Sequence, residues 1–198
     1  LGEAKVKRGV GKPSPHTEVK IVHGDNKMVP FGSIGEICVR SYSVFSGYYG
    51  LEEATAAVLT KTGWYHTGDR GYMDVSGYLS VVGRESDMFK HGIKRVYPAN
   101  VESVLINYPA IDQVVVVGIP SIRFGLDVCA CVVVAPNYQD TFKDAQFLEW
   151  CAEKFPEEFD GLSIAPEKVV RLENIPLGRT GKTDRAAVRQ LALKILGL

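Results

Sequence analysis

The chain has 198 residues, 45% of them hydrophobic and 23% charged, and its 23 Lys and Arg balance 23 Asp and Glu. This composition is that of an ordinary globular protein, and the length is enough for one or two domains with real cores. A formal net charge of zero argues against a nucleic-acid-binding protein with a strongly basic surface, although local cations can still hold a small anionic ligand.

The four cysteines do not form a C-x-x-C motif, and no two histidines have the helical spacing of metal ligands. We therefore predict small, reduced core cysteines, no metal site and a reducing, cytoplasmic compartment. No apolar run approaches the roughly 20 residues of a membrane helix, and no signal peptide is visible. The opening "LGEAKVKRGVGKPSP" looks like the middle of a longer chain, so we expect a fragment.

The first part of the chain, residues 1–82, is rich in glycine and short apolar stretches, which is typical of strands and turns. We predict strands at 19–22, 35–40 and 77–82, and a short helix at 52–59. This part is expected to be β-rich.

The second part alternates helical and strand patterns. The apolar runs at 114–119 and 128–135 predict buried strands, and the eight residues between them favour antiparallel pairing. A further strand is predicted at 168–172. Cys129 and Cys131 should share one strand face, because side chains two apart point the same way.

Three helices are predicted around these strands. The first has its apolar face at Val101, Val104, Leu105 and Tyr108 and should stop at Pro109. The second is expected to be capped through Thr141 and Asp144, with its buried stripe at Ala145, Leu148, Ala152 and Phe155. The third should be capped by Asp184, with its inner face at Val188, Leu191, Ala192 and Ile195.

A polar segment with a glycine at each end, residues 83–92, separates the two styles of sequence. It is either a surface turn or an interdomain hinge. We predict an α+β protein: a β-rich part at 1–82, a hinge at 83–88, and a small domain of helices on a short sheet at 89–198.

The stretch "PLGRTGKTDR", residues 176–185, superficially resembles a phosphate-binding P-loop. Pro176 stands where that loop needs its first glycine, and proline has no N–H to donate. Gly178 is too close to Gly181 for the required wrap. The P-loop interpretation therefore fails, and Lys182 is either a solvent lysine or a cation presented at a loop tip.

Three other features taken singly favour ordinary surface roles. Asp69 follows Thr67 and Gly68 in what we expect to be a tight loop between strands, where its carboxylate either caps the turn or binds vicinal hydroxyls of a ribose. Arg84 is either a salt-bridge residue or a ligand for phosphate or sugar oxygens. Nearby cations make residues 83–95 locally basic; they are Lys90, Lys94 and Arg95.

Taken together and in order, "GWYHTGD", "GYLSVVGRESDMFKHGIKRVYPANVE" and "IPLGRTGKTDR" strongly resemble the adenylate-forming enzymes, which include acyl-CoA synthetases, luciferases and peptide-synthetase adenylation domains. The resemblance runs from about residue 9 to 185. The stretch "GVGKPSPHTEVKIV" is most similar to the acyl-CoA synthetase branch.

The resemblance implies a ligase that activates a small-molecule carboxylic acid with Mg²⁺ and ATP to an acyl-adenylate and then transfers the acyl group to coenzyme A. It implies that Asp69 and Arg84 bind the ribose of ATP, and that Lys182 reaches the substrate carboxylate and the α-phosphate. An ammonium there lowers the repulsion between two anions and stabilises the transition state.

For the thiol step, the resemblance implies that Gly92 lets the thiol arm pass close to the backbone, and that Lys90, Lys94 and Arg95 steer the phosphates of coenzyme A. Two departures concern the pivot between the steps. The family's hinge position holds Ser86, with Asp87 beside it, and Asn100 stands where a glutamate is usual, although Glu102 fits.

The family's phosphate loop, adenine pocket and acyl pocket lie upstream of this sequence, so we expect the chain alone to be inactive. The acid is left open among acetate, fatty, aromatic and bile acids. Two alternatives also stay open: an adenylation domain that loads a carrier protein, and a catalytically silent homologue that serves as a binding module.

Overall fold

A computed structural model describes residues 9–157 and 162–198 of the chain. The chain divides into two compact units, Leu1–Ser86 and Asp87–Leu198. The division falls within the segment 83–88, and a hinge function for that segment stays a prediction. Both helices and sheets are present, which confirms the α+β class.

The first unit contains a four-stranded antiparallel sheet in the order β1-β2-β3-β4. A short helix, α1, lies in the connection between β2 and β3. The bounds are β1 Thr17–Val22, β2 Gly35–Ser41, α1 Glu52–Val58, β3 Tyr65–Met73 and β4 Leu79–Arg84. The predicted β-rich character and the helix near 52–59 are confirmed.

A close approach between β3 and β4 depends on a glycine. A Cβ atom added at Gly71 would lie 2.3 Å from the carbonyl oxygen of Ser80 and 2.8 Å from Cδ1 of Ile37, far inside normal contact. The pairing register of the two strands shifts between Arg70 and Gly71. Such an irregularity re-aims the neighbouring side chains, and Asp69 stands next to it.

The second unit opens with a hairpin that the sequence analysis did not predict. Its strands are β5 Phe89–His91 and β6 Lys94–Val96, and its two-residue turn begins at Gly92. The φ of Gly92 is 59°, in the left-handed region that glycine occupies without strain.

A three-stranded sheet forms the centre of the second unit. Strand β7 Ile111–Ser121 pairs antiparallel with β8 Gly125–Val134, as predicted, and β8 pairs parallel with β9 Lys168–Arg171. The parallel pair is possible because a long connection containing helix α3, Asp144–Lys154, joins β8 to β9.

Helices cover both faces of this sheet, which explains the continuous apolar runs of β7 and β8. Helix α2, Pro98–Leu105, and α3 pack on one face, and α4, Arg185–Leu196, packs on the other. The first cluster includes Val101, Leu105, Val116, Val128, Ala130, Val132, Phe147 and Cys151. The second includes Val115, Val117, Ile119, Cys129, Cys131, Val170, Val188 and Ala192.

All four cysteines are free and buried, as predicted; they are Cys38, Cys129, Cys131 and Cys151. Cys129 and Cys131 share the α4 face of the sheet. Burial raises the pKa of the Cys38 thiol to about 11 and that of the Cys151 thiol to about 12. These thiols therefore stay protonated and unreactive near neutral pH.

The predicted capping and packing of α3 are wrong. Lys143 occupies the N-cap position without a side-chain hydrogen bond, so Thr141 does not cap the helix. The fully buried residues are Phe147 and Cys151. Of the predicted stripe, Ala145 and Ala152 are exposed and Leu148 and Phe155 are only half-buried. The face of α3 that packs against the core is instead the one with Phe147 and Cys151.

The other two helices follow the predictions more closely. Asp184 caps α4, since its Oδ1 accepts the backbone N–H of Ala187 at 3.0 Å. Leu191 and Ile195 were wrongly placed on its inner face and are exposed. Helix α2 ends at Leu105, before Tyr108 and Pro109, so proline is not its immediate stop.

The position of Phe147 predicts which residue of α3 carries the stability of the second unit. Phe147→Ala should lower the free energy of unfolding by about 3–5 kcal/mol, because it removes a fully buried ring. Leu148→Ala should cost only about 1 kcal/mol, because that side chain is half-buried. Urea unfolding in a Trp64→Phe background, followed by Trp150 fluorescence, measures both. Equal losses would contradict the assigned face.

Candidate active site

Asp69 and Arg84 lie directly opposite each other on β3 and β4. The Nε of Arg84 is 3.2 Å from Oδ1 of Asp69, and the two side chains are 61% and 32% exposed. The expectation that Asp69 sits in a tight loop was wrong, because it lies inside β3. The structure therefore brings together two of the predicted site residues as an accessible ion pair.

The strand segment before Asp69 is anchored by β2. One oxygen of the Glu36 carboxylate accepts the N–H of Gly68 at 3.3 Å, and the other lies 2.9 Å from Nδ1 of His66. The Thr67 hydroxyl accepts the N–H of Asp69 at 3.0 Å. Sequence reasoning missed Glu36 and His66, because they are 30 residues apart and meet only through strand pairing.

This arrangement can bind a polyhydroxylated ligand. A carboxylate accepts hydrogen bonds from vicinal hydroxyls, and each such bond to a charged group contributes about 1.5–3 kcal/mol. The guanidinium of Arg84 adds donors for sugar or phosphate oxygens. Neither group is deeply buried, so both can exchange their mutual contact for a ligand.

Lys182 is exposed in a loop that is closed by its own backbone. Leu177 pairs with Thr183 across the base, the Gly178 N–H donates to the Lys182 carbonyl at 2.8 Å, and the Gly181 N–H donates to the Gly178 carbonyl at 3.0 Å. Both glycine N–H groups are thus used inside the loop. Neither N–H is therefore available to a phosphate, which agrees with the rejection of a P-loop, and the loop exposes two cationic side chains, Arg179 and Lys182.

The hairpin β5–β6 separates the three predicted cations. Lys90 and Arg95 are exposed and directly opposite each other in the register. Lys94 is half-buried, and its Nζ donates to the carbonyl of Leu162 at 2.5 Å. The turn packs closely at Gly92, where an added Cβ would lie 3.2 Å from Cδ1 of Leu162.

The predicted hinge residues lie at the unit boundary. Ser86 is exposed and lies in a single 3₁₀ turn, Glu85–Asp87. The Oδ2 of Asp87 is 3.5 Å from Nε of Arg185, the first residue of α4. Asp87 is therefore tied to the second unit, in which it is the first residue.

A buried histidine was also missed by sequence reasoning. His91 is 1% exposed and its Nδ1 donates to the carbonyl of Leu126 at 2.8 Å, which fastens β5 to β8. Asp127 and Glu167 each place a carboxylate oxygen 3.9 Å from a different ring nitrogen. These contacts fit a structural role for His91 in the core of the second unit.

Among the helices formed by the described residues, none is both long enough and apolar enough to cross a bilayer.

Comparison with known proteins agrees with the fold and with the motif order. Residues 1–49 match the model of the AMP-binding enzyme family, and residues 100–182 match that of the AMP-binding enzyme C-terminal domain. The chain belongs to this family of adenylate-forming enzymes, and the resemblance drawn from its motifs is confirmed.

Similar proteins have different named activities. The mitochondrial medium-chain acyl-CoA ligase ACSF2 of Danio rerio is 34% identical over 96% of this chain and 30% of its own length. The fatty acid–[acyl-carrier-protein] ligase ScoC of Streptomyces coeruleorubidus is 35% identical over 84% of this chain and 33% of its own. The amide bond synthetase McbA of Marinactinospora thermotolerans superimposes with a TM-score of 0.82 at 34% identity, over 94% of this chain and 37% of that one. The chain thus spans about a third of these relatives.

Glu36 is expected to hold the strand segment that presents Asp69. Glu36→Ala removes the acceptor of the Gly68 N–H, so amide hydrogen exchange at Gly68 and Asp69 should speed up about tenfold or more. The matched control is Glu18→Ala, which removes an exposed ion pair with Arg40 on the same sheet. Hydrogen–deuterium exchange of this chain measures both. Unchanged exchange in the Glu36 variant would contradict the anchoring role.

Proposed function

We propose that the whole protein to which this chain belongs is an AMP-forming acid–thiol ligase. It activates a carboxylic acid with Mg-ATP to an acyl-adenylate and pyrophosphate, and then transfers the acyl group to coenzyme A. The observation that carries the proposal is the exposed Lys182 on a loop whose two glycine N–H groups are bonded internally, in a chain of the AMP-binding enzyme family.

In the first step, Asp69 accepts hydrogen bonds from both ribose hydroxyls of ATP, and Arg84 supports the same sugar. Their accessible ion pair supports this role, because it offers an acceptor beside a donor. Magnesium arrives as part of the Mg-ATP substrate.

Lys182 acts on the reacting groups of that step. Attack of a carboxylate on the α-phosphorus brings two anions together, and an ammonium between them stabilises the charge that builds up in the transition state. A lysine is suited to this task, since it is a compact charge on a flexible stem.

In the second step, Lys90 and Arg95 attract the phosphates of coenzyme A. They are exposed and adjacent, and no carboxylate in residues 9–157 and 162–198 forms a salt bridge with either of them. Lys94 is assigned the lesser role, because its ammonium already donates to Leu162. Gly92 leaves room for the thiol arm beside the hairpin turn, and Ser86 with Asp87 serves as the pivot between the two steps.

Two other functions are kept as candidates. The similarity to an acyl-carrier-protein ligase and to an amide synthetase supports a different acyl acceptor after the same activation step. The second candidate is a catalytically silent homologue that serves as a binding module. ATP–pyrophosphate exchange by the whole protein separates an enzyme from a silent module, and a comparison of free coenzyme A, a carrier protein and an amine as acceptors separates the ligases.

Lys182→Met in the whole protein should slow acyl-adenylate formation about 10²–10³-fold, because it removes one preorganised charge from the transition state. Thioester formation from supplied acyl-adenylate should be unchanged. Lys194→Met, an exposed lysine on α4, is the matched control and should affect neither step. Equal loss in both half-reactions would refute the role of Lys182.

Substitution of Lys90 and Arg95 tests whether these two cations bind the phosphates of coenzyme A. Lys90→Ser with Arg95→Ser should raise KM for coenzyme A about tenfold, with little change in KM for ATP, because two charges near the phosphates are lost. The effect should shrink at high ionic strength. Lys154→Ser with Lys168→Ser, at two other exposed lysines, is the control. An unchanged KM for coenzyme A would exclude the hairpin as its phosphate site.

A further inference from the structure

Arg185 is bonded more extensively than a residue at the start of a helix needs to be. Its Nη1 donates to Oε1 of Glu102 at 2.5 Å and to the carbonyl of Val116 at 2.7 Å. Its Nη2 donates to Oε2 of Glu102 at 3.4 Å, and its Nε is 3.5 Å from Oδ2 of Asp87. The side chains of Arg185 and Glu102 are 25% and 19% exposed.

The same contacts complete the edge of the central sheet. β7 is an edge strand of the sheet β7-β8-β9. The Val116 N–H donates to Oε1 of Glu102 at 2.7 Å, while the Val116 carbonyl accepts from Arg185. One acid–base pair therefore satisfies both backbone groups of this edge residue, and it fastens α2 and α4 to the same point of β7.

Arg185 also stands at the base of the Lys182 loop. The Asp184 N–H donates to the Pro176 carbonyl at 2.9 Å, which closes the loop one residue before Arg185. The planar fork of a guanidinium fixes direction as well as distance, which a lysine ammonium does not do. The contacts that hold Arg185 against β7 consequently also fix the C-terminal end of the Lys182 loop.

We propose that Arg185 is a positioning residue for Lys182, acting through its two-pronged contact with the Glu102 carboxylate and its bond to the Val116 carbonyl. This rests on the proposed function of Lys182. The two bonds to Glu102 fix the base of the Lys182 loop. The Lys182 ammonium therefore reaches the reacting carboxylate and phosphate from a defined place. A displacement of about 1 Å at a reacting centre can cost on the order of 10²-fold in rate.

The test compares Arg185→Lys with Arg189→Lys in the whole protein. Arg189 is a matched control, because it also lies on α4 and its Nε donates to a carbonyl of β7, that of Gly118, at 2.7 Å. Arg185→Lys should slow ATP–pyrophosphate exchange about 10²-fold and leave thioester formation from supplied acyl-adenylate within about twofold. Arg189→Lys should leave the ratio of the two half-reactions unchanged.

A double variant distinguishes positioning from a general loss of structure. If Arg185 acts through Lys182, adding Arg185→Lys to Lys182→Met should slow adenylation no further. Multiplied losses, or equal losses in both half-reactions, would overturn the inference. Glu102→Gln keeps the shape of the side chain and should also slow ATP–pyrophosphate exchange without affecting thioester formation. It replaces the Arg185 variant in the test if that variant does not fold.

Failure of the proposed function gives a different result. If Lys182→Met alone leaves ATP–pyrophosphate exchange intact, the catalytic role of Lys182 is wrong, and the positioning role falls with it. If Lys182→Met abolishes exchange but Arg185→Lys and Glu102→Gln do not slow it, only the positioning role of Arg185 is overturned.

Discussion

Burial of β7 and β8 on both faces is the constraint on which the second unit depends. Because the middle residues of both strands are apolar and buried, helices must cover both sides of the sheet, and α2 with α3 on one face and α4 on the other provide that cover. The position of α4 in turn fixes the C-terminal end of the loop that precedes it. Lys182 is thus a surface residue whose place is set by packing in the core.

The parts of the fold that were predicted correctly depend on local signals. The cap at Asp184 and the apolar runs of β7 and β8 are each visible within a few residues. Rejection of a P-loop at Lys182 was also local, since a proline and the glycine spacing were enough. The structure agrees, since the N–H groups of Gly178 and Gly181 are both bonded inside the loop.

The parts that were missed depend on contacts between distant segments. The helical spacing of α3 allowed more than one apolar stripe, and only the surrounding core selected Phe147 and Cys151. Asp69 appeared to be a loop residue because glycine precedes it, yet pairing with β4 draws it into a strand. The fork of Arg185 onto Glu102 joins residues 83 positions apart, so no local pattern could reveal it.

The opposed pair of Lys90 and Arg95 makes the order of the hairpin sensitive to the charge around it. Like charges facing each other across two strands repel, so the short hairpin β5–β6 is held together against its own electrostatics. A polyanion placed between the two side chains would turn that repulsion into attraction. The hairpin should therefore be more rigid while an anion is bound there and more mobile once the anion leaves, and added salt should weaken both effects.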